Sequence, residues 1–221
     1  MTTEVRPSNY NISIPILDQL ILNRTKMPIR IEPYAEIHEK VDVFICGSGS
    51  AGLSAATWLS RYGIRCKIVE SRSGPLEVGQ ADGVQSRTTE ILESFGIVED
   101  LLKQGYHNVE VTFWNPAKGG GVERTRSIPA TDPGLSHLPR VMLSQARLHG
   151  LLLKAMKDFN GQEVDYGYKV LEVRVDEEKA NDPDSYPVTI VTEKEGKEKI
   201  FEAKYALVHL SISPKPLYIL M

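Results

Sequence analysis

The chain has 221 residues, 41% hydrophobic and 25% charged, with a formal net charge of −3. This is ordinary globular composition, sufficient for one sizeable core in one domain, or one domain and part of another. A charge so near neutrality argues against nucleic acid or an acidic membrane surface as partner, and no stretch approaches the roughly 18 apolar residues that span a bilayer.

Residues 1–40 show no clean hydrophobic period, hold Pro7, Pro15, Pro28 and Pro33, and read as an extension. They lack a signal peptide's order of basic region, apolar core and small-residue cleavage site. At Val41 the texture changes. Val41–Cys46 is an apolar run ended by glycine, which predicts a buried parallel strand. Ala51–Tyr62 predicts a helix with Leu53, Ala55, Ala56 and Leu59 on the sheet side and Gly63 as its left-handed terminator. Arg65–Val69 predicts a second strand closing at Glu70, which completes a βαβ unit of about 30 residues. A polar loop, Ser71–Gly83, follows. Helices are expected over Ser86–Phe95, Val98–Gln104 and Ser144–Asp158, and a strand over Val109–Trp114 with a turn at Pro116–Gly121. The remainder reads as strands over Gly167–Val175, Val188–Glu193 and Lys199–Leu210, with a turn at Glu195-Gly196. Cys46 and Cys66 both fall in buried-strand segments, as inert core thiols do in a reducing compartment. The expected location is cytoplasmic.

The chemistry concentrates in Gly47-Ser48-Gly49-Ser50-Ala51-Gly52. Gly47 allows the tight turn out of the strand, Gly49 admits a diphosphate close to the backbone, and Gly52 lets helix and strand pack closely. The helix start offers free N–H groups and the positive end of its dipole. Glu70 lies 18 residues beyond Gly52, where a carboxylate accepts hydrogen bonds from adenosine ribose hydroxyls. Strand, glycines, helix, strand and acid stand in the order a dinucleotide site needs, although the motif alone does not separate FAD from NAD. His38, His107, His137, His149 and His209 have no metal-ligand spacing, so no metal is assigned. Trp58 and Trp114 read as core or rim residues.

Val78-Gly79-Gln80-Ala81-Asp82-Gly83-Val84-Gln85-Ser86-Arg87 resembles the FAD-dependent aromatic hydroxylases, and within them the phenol 2-monooxygenase family. The likeness continues through Trp114-Asn115-Pro116, Ile128-Pro129, Val141–Leu148 and the connector Asp182–Val188. It implies an α/β, Rossmann-like FAD-binding fold with part of a substrate-domain β-sheet. It also implies FAD as cofactor, NADPH as co-substrate, and hydroxylation of phenol-like aromatic compounds by molecular oxygen through a flavin hydroperoxide. Family members are often homodimers. By the same resemblance, the backbone at Ser50 and Ala51 meets the diphosphate, and Glu70, Ser71 and Arg72 surround the ribose. Gly79, Gln80, Ala81, Asp82, Gly83 and Val84 run beside the flavin ring and the phenol, and Arg87 and Gln145 contact the ribityl and phosphate part. Asp82 is the one candidate catalytic residue, a base for the phenolic proton. The residues themselves also allow Asp82-Gly83 to be only a turn, Arg72 only a surface charge, and Gln145 only a helix cap.

The likeness covers about Val41–Val208 and stops before His209-Leu210-Ser211, where related chains run into Gly-x-Asp-Gly. The expected organisation is therefore an extension (1–40), an incomplete FAD-binding domain with the first substrate-domain strands (41–208), and an unrelated tail (209–221). Two further readings stay open. One is a non-catalytic fragment with weak or no FAD binding, and no hydroxylation of phenol with NADPH is expected of the 221-residue chain itself. The other is an NAD-binding dehydrogenase module, which would not need the Gly79–Val84 loop.

Overall fold

The computed structural model describes residues 37–208; the expectations for residues 1–36 and for the tail fall outside them. The first strand, β1, runs Ile37–Cys46, four residues longer than its apolar run. Residues read as the end of an extension enter the sheet because a long partner strand continues beside them. Helix α1 (Ser50–Arg61) follows the glycine turn. Its end is closed by the Gly63 N–H to Ser60 O at 3.0 Å and the Ile64 N–H to Leu59 O at 2.9 Å, with Gly63 left-handed at φ 72°. Then come β2 (Cys66–Glu70), β3 (Gly83–Val84), α2 (Ser86–Phe95) and α3 (Val98–Gln104), the last two with the expected bounds.

A second group comprises β4 (Tyr106–Asn108), β5 (Glu110–Pro116), β6 (Val122–Pro129), β7 (Arg140–Met142) and α4 (Gln145–Asn160). The chain continues with β8 (Asp165–Tyr166), β9 (Lys169–Val175), β10 (Val188–Lys194) and β11 (Lys197–Val208). Five of these strands, β3, β4, β6, β7 and β8, were not expected. Four are two or three residues long, too short to show a period. The fifth, β6, is exposed at every position but Ile128, so it has no apolar alternation to read.

The main sheet has the order β8-β2-β1-β11-β10-β9. Its first four strands run parallel and its last three antiparallel. The chain leaves β1 for β2 on one side and returns much later to β11 on the other. The carboxyl end of β1 is thus the point where strand order reverses, the place where open α/β sheets bind ligands. A small sheet, β3-β7-β4, and the exposed β5-β6 hairpin lie outside it.

Both faces of β1 are buried over Phe44–Cys46, at the end of the apolar run. Ile45 packs with Leu53 and Ala56 of α1 and with Leu152 and Met156 of α4. Phe44 and Cys46 face the other side with Val69, Ile190, Phe201 and Ala203, and the Phe44 and Phe201 rings stack 5.1 Å apart. The sequence-assigned sheet face of α1 holds: Leu53 and Ala56 are buried, Ala55 and Leu59 partly so. Cys46 and Cys66 are buried and free, because the register sets Cys46 beside Val69 and Cys66 beside Val43. Burial pushes the Cys46 thiol up to about 12 and the Cys66 thiol to about 11. None of the described helices is long and apolar enough to cross a membrane.

Phe44 is wholly buried between strands and cannot be replaced by collapse of a flexible neighbour. Phe44→Ala is expected to lower the unfolding free energy by about 3–5 kcal/mol, read from urea denaturation followed by far-ultraviolet circular dichroism.

Candidate dinucleotide site

The turn after β1 is built by backbone constraints. Gly47 sits at φ 98°, which disfavours any side chain, and its N–H donates to Val69 O at 2.8 Å. Gly49, extended at φ −72° and ψ 179°, caps α1 without a side-chain hydrogen bond. The first ladder bond of the helix is Leu53 N–H to Gly49 O, 2.9 Å. The N–H groups of Ser50, Ala51 and Gly52 therefore have no intrahelical acceptor, and Ser50 and Ala51 are exposed. A Cβ on Gly52 would lie 2.1 Å from Gly47 O, so only glycine lets the helix start this close to the turn.

Glu70 ends β2 and faces the same turn from the side. Its Oε2 accepts from the Ser48 N–H at 2.9 Å, the Ser48 hydroxyl at 3.0 Å and Arg72 Nη2 at 3.1 Å. Its Oε1 accepts from the Arg72 N–H at 3.1 Å and the Ser71 hydroxyl at 3.2 Å. Burial alone would raise the carboxyl's pKa. The bonds from Arg72 and Ser48, side chain and backbone together, outweigh it and hold the group at about 2. Arg72 also reaches Ser48 Oγ at 3.1 Å, so it is tied into the turn rather than standing free in solvent.

The Gly79–Val84 loop is held against the opposite wall. Asp82 O accepts from the Leu143 N–H at 2.7 Å, and Ala81 O from the Gln145 N–H at 2.8 Å. Gly83 and Val84 pair with Met142 and Val141 in the small sheet. A Cβ on Gly79 would lie 2.4 Å from Gln145 Cβ, so glycine is needed where loop meets helix. The Gln145 side chain caps nothing. Its Oε1 accepts from the Gln80 N–H at 3.0 Å, and its Nε2 donates to Ser50 Oγ at 3.2 Å. One side chain thus joins the loop to the first residue of α1.

Ser50 Oγ also meets Nε2 of His149, 2.8 Å away. His149 is buried, and burial, reinforced by the Arg72 charge, holds its pKa below the ordinary imidazole value. The sequence alone gives neither the Ser48 side chain nor His149 a role in the site. The available signal for His149 was its spacing: Gln145 and His149 stand at i and i+4 on one face of α4. Two other residues lie apart from this cluster. The Arg87 side chain is exposed and pairs with Glu90 at 2.8 Å, and Asp82 is exposed. Among the described residues no group of three His, Cys, Asp or Glu side chains converges as a metal site would.

Glycine turn, open helix start and facing carboxylate at a strand-order reversal define a dinucleotide-binding α/β protein. The residues fit FAD: the free N–H groups and the Cβ-free approach suit a diphosphate, and Glu70 suits a ribose. Residues 40–207 match the family model described as FAD binding domain, and the chain belongs to that family, that of the FAD-dependent aromatic monooxygenases. It is 65% identical over 171 residues to the FAD-dependent monooxygenase terD of Aspergillus terreus, covering 76% of this chain and 28% of the relative. Identity to the 3-hydroxybenzoate 4-monooxygenase of Comamonas testosteroni is 40%, covering 72% of this chain and 25% of the relative. Identity to the phenol 2-monooxygenase fsqG of Aspergillus fumigatus is 30%, covering 76% and 27%. The chain thus spans about a quarter of the length of these relatives. Among solved structures, an aklavinone-11 hydroxylase in ternary complex with FAD and aklavinone superposes with a TM-score of 0.62 at 27% identity, over 75% of this chain and 32% of that one. The expected fold class and family resemblance hold.

Glu70's pKa is depressed on folding, so its contribution to stability is present above the unfolded carboxylate value and is lost as pH falls. Stability is expected to decline between the ordinary value near 4.5 and the folded value of about 2. Glu70→Gln should remove that part of the acid dependence, measured as urea midpoints across the same interval.

Proposed function

We propose that this chain holds FAD in the crevice at the carboxyl end of β1 and is the flavin-binding part of a monooxygenase that hydroxylates phenol-like aromatic compounds. The observation that carries this reading is the open start of α1 beside the Glu70 carboxylate. In it, the N–H groups of Ser50 and Ala51 bind the diphosphate, and Gly49 and Gly52 keep the approach clear. Glu70, Ser71 and Arg72 surround the adenosine ribose. Ribose hydroxyls are donors like the Ser48 and Ser71 hydroxyls already on Glu70, so they exchange into the same acceptor geometry.

Gly79 to Val84 would line the flavin ring, and their hydrogen bonds to Leu143 and Gln145 would hold that wall in place. Gln145 and Arg87 serve the ribityl and phosphate segment. Arg87 must first leave Glu90, a surface ion pair that solvent screens. When bound and reduced by NAD(P)H, the flavin supplies the oxygen chemistry, and the protein supplies position and polarity. Asp82 takes the phenolic proton, which makes the aromatic ring more electron-rich toward oxygen transfer. The names of two relatives, a 3-hydroxybenzoate 4-monooxygenase and a phenol 2-monooxygenase, support a phenolic substrate class.

Titration of FAD against the purified chain, followed by flavin fluorescence, is expected to show saturable binding. Glu70→Ala should weaken it about tenfold or more, as loss of hydrogen bonds to a charged acceptor worth roughly 1.5–3 kcal/mol requires. Unchanged affinity would remove Glu70 from the ribose site. In hydroxylation assays on a phenol with the full-length enzyme of which this is the flavin-binding part, Asp82→Asn is expected to lower turnover about 10²-fold or more while FAD still binds. Full turnover in that variant would leave Asp82 only its place in the turn.

A further inference from the structure

We propose that His149 is a positioning residue of the diphosphate cradle that takes up a proton when FAD binds, and so turns the Ser50 hydroxyl from the imidazole toward phosphate. The proposal rests on the flavin reading above and deepens it.

The hydrogen bonds around Ser50 have a fixed direction. Gln145 Oε1 accepts from the Gln80 N–H at 3.0 Å, which orients the amide so that Nε2 faces α1. That Nε2 donates to Ser50 Oγ at 3.2 Å. Ser50 therefore receives one hydrogen bond and keeps its own proton to give. The nearest acceptor for that proton is His149 Nε2 at 2.8 Å. The relay runs Gln80 N–H, Gln145, Ser50 O–H, and ends on the imidazole.

A hydroxyl has one proton. While His149 accepts it, Ser50 has none for a phosphate oxygen, although Ser50 is the exposed first residue of α1, at the diphosphate end of the crevice. An imidazolium reverses the last bond. Its Nε2–H donates, Ser50 Oγ accepts from both Gln145 and His149, and the Ser50 proton is freed for the ligand. Protonation thus adds a donor to the cradle and places a positive charge behind it.

The charges around the ring set the direction of the coupling. Burial disfavours the imidazolium, and the Arg72 guanidinium, on the turn after β2, disfavours it further. Ser50 on α1 and Gln145 on α4 bring only neutral groups to the ring. Arg147, also on α4, is exposed and turned to Gln104. Glu70 is held by Arg72 and Ser48 with its pKa at about 2, so it does not titrate near neutrality. A diphosphate diester stays anionic across the same range, and its charge opposes both burial and Arg72. FAD therefore binds the protonated form better, and by reciprocity binding raises the proton affinity of His149. Affinity should rise as pH falls from the bound to the free pKa and stay level outside that window. Each unit between the two values is worth tenfold in Kd.

The test titrates FAD against the full chain from about pH 8.5 to about pH 5.5, the interval in which imidazoles titrate. Calorimetry in two buffers of different ionisation enthalpy counts the protons exchanged. The expected result is a Kd that falls about tenfold toward acid, with net proton uptake on binding. In His149→Gln both should vanish. Binding with zero proton uptake by the wild-type chain overturns the inference, whether or not the variant folds. So does a pH dependence that survives in His149→Gln. Absence of saturable FAD binding at every pH is a different outcome: it overturns the flavin reading itself, and this inference falls with it.

Discussion

The Glu70 carboxylate is the interaction on which the crevice depends. Two strands end side by side, and each leaves polar backbone that the sheet cannot satisfy. The carboxylate at the end of β2 takes the Ser48 N–H from the turn after β1, and so ties the two strand ends together. Arg72 compensates its charge, and Ser48 and Ser71 share its remaining lone pairs. Because the group is buried, leaving any of these donors out would cost more than the bond itself contributes. The turn is therefore held in one shape before a ligand arrives, which lowers the ordering cost of binding.

The opposite wall uses a different device. Few side chains hold the Gly79–Val84 loop; backbone hydrogen bonds to Leu143 and Gln145 do so, with a short three-stranded sheet behind it. Gln145 then couples that wall to α1. A displacement of the loop must also move the helix start, so the two halves of the crevice keep their spacing.

Local signals made much of this legible from sequence. The glycines at 63 and 96 mark helix ends because each adopts a left-handed conformation, and the apolar run before Gly47 could only be a buried strand. Gly47 to Gly52 and Glu70 were legible because their roles follow from spacing within one βαβ unit. The rest was not local. Ser50 meets Gln145 and His149 at separations of 95 and 99 residues, and the i, i+4 spacing from Gln145 is the one local sign that His149 shares its face of α4. The strand β6 escaped notice because its side chains are solvated and only its partner β5 makes it a strand. Trp114 was assigned to core or rim and is more than half exposed on that hairpin, whereas Trp58 packs on Phe95 at the edge of the helical layer.

The two thiols have a practical corollary. Cys46 directly precedes Gly47, and Cys66 lies on the adjacent strand, both sealed in and kept protonated by their surroundings. An alkylating reagent needs thiolate and access, and the folded chain offers it neither at these positions. Cys66 packs in the core under the helices and Cys46 in the core on the other face of the sheet, so modification of each proceeds only when that core opens. Their labelling rate becomes a clock for the opening of the part of the sheet that carries the crevice.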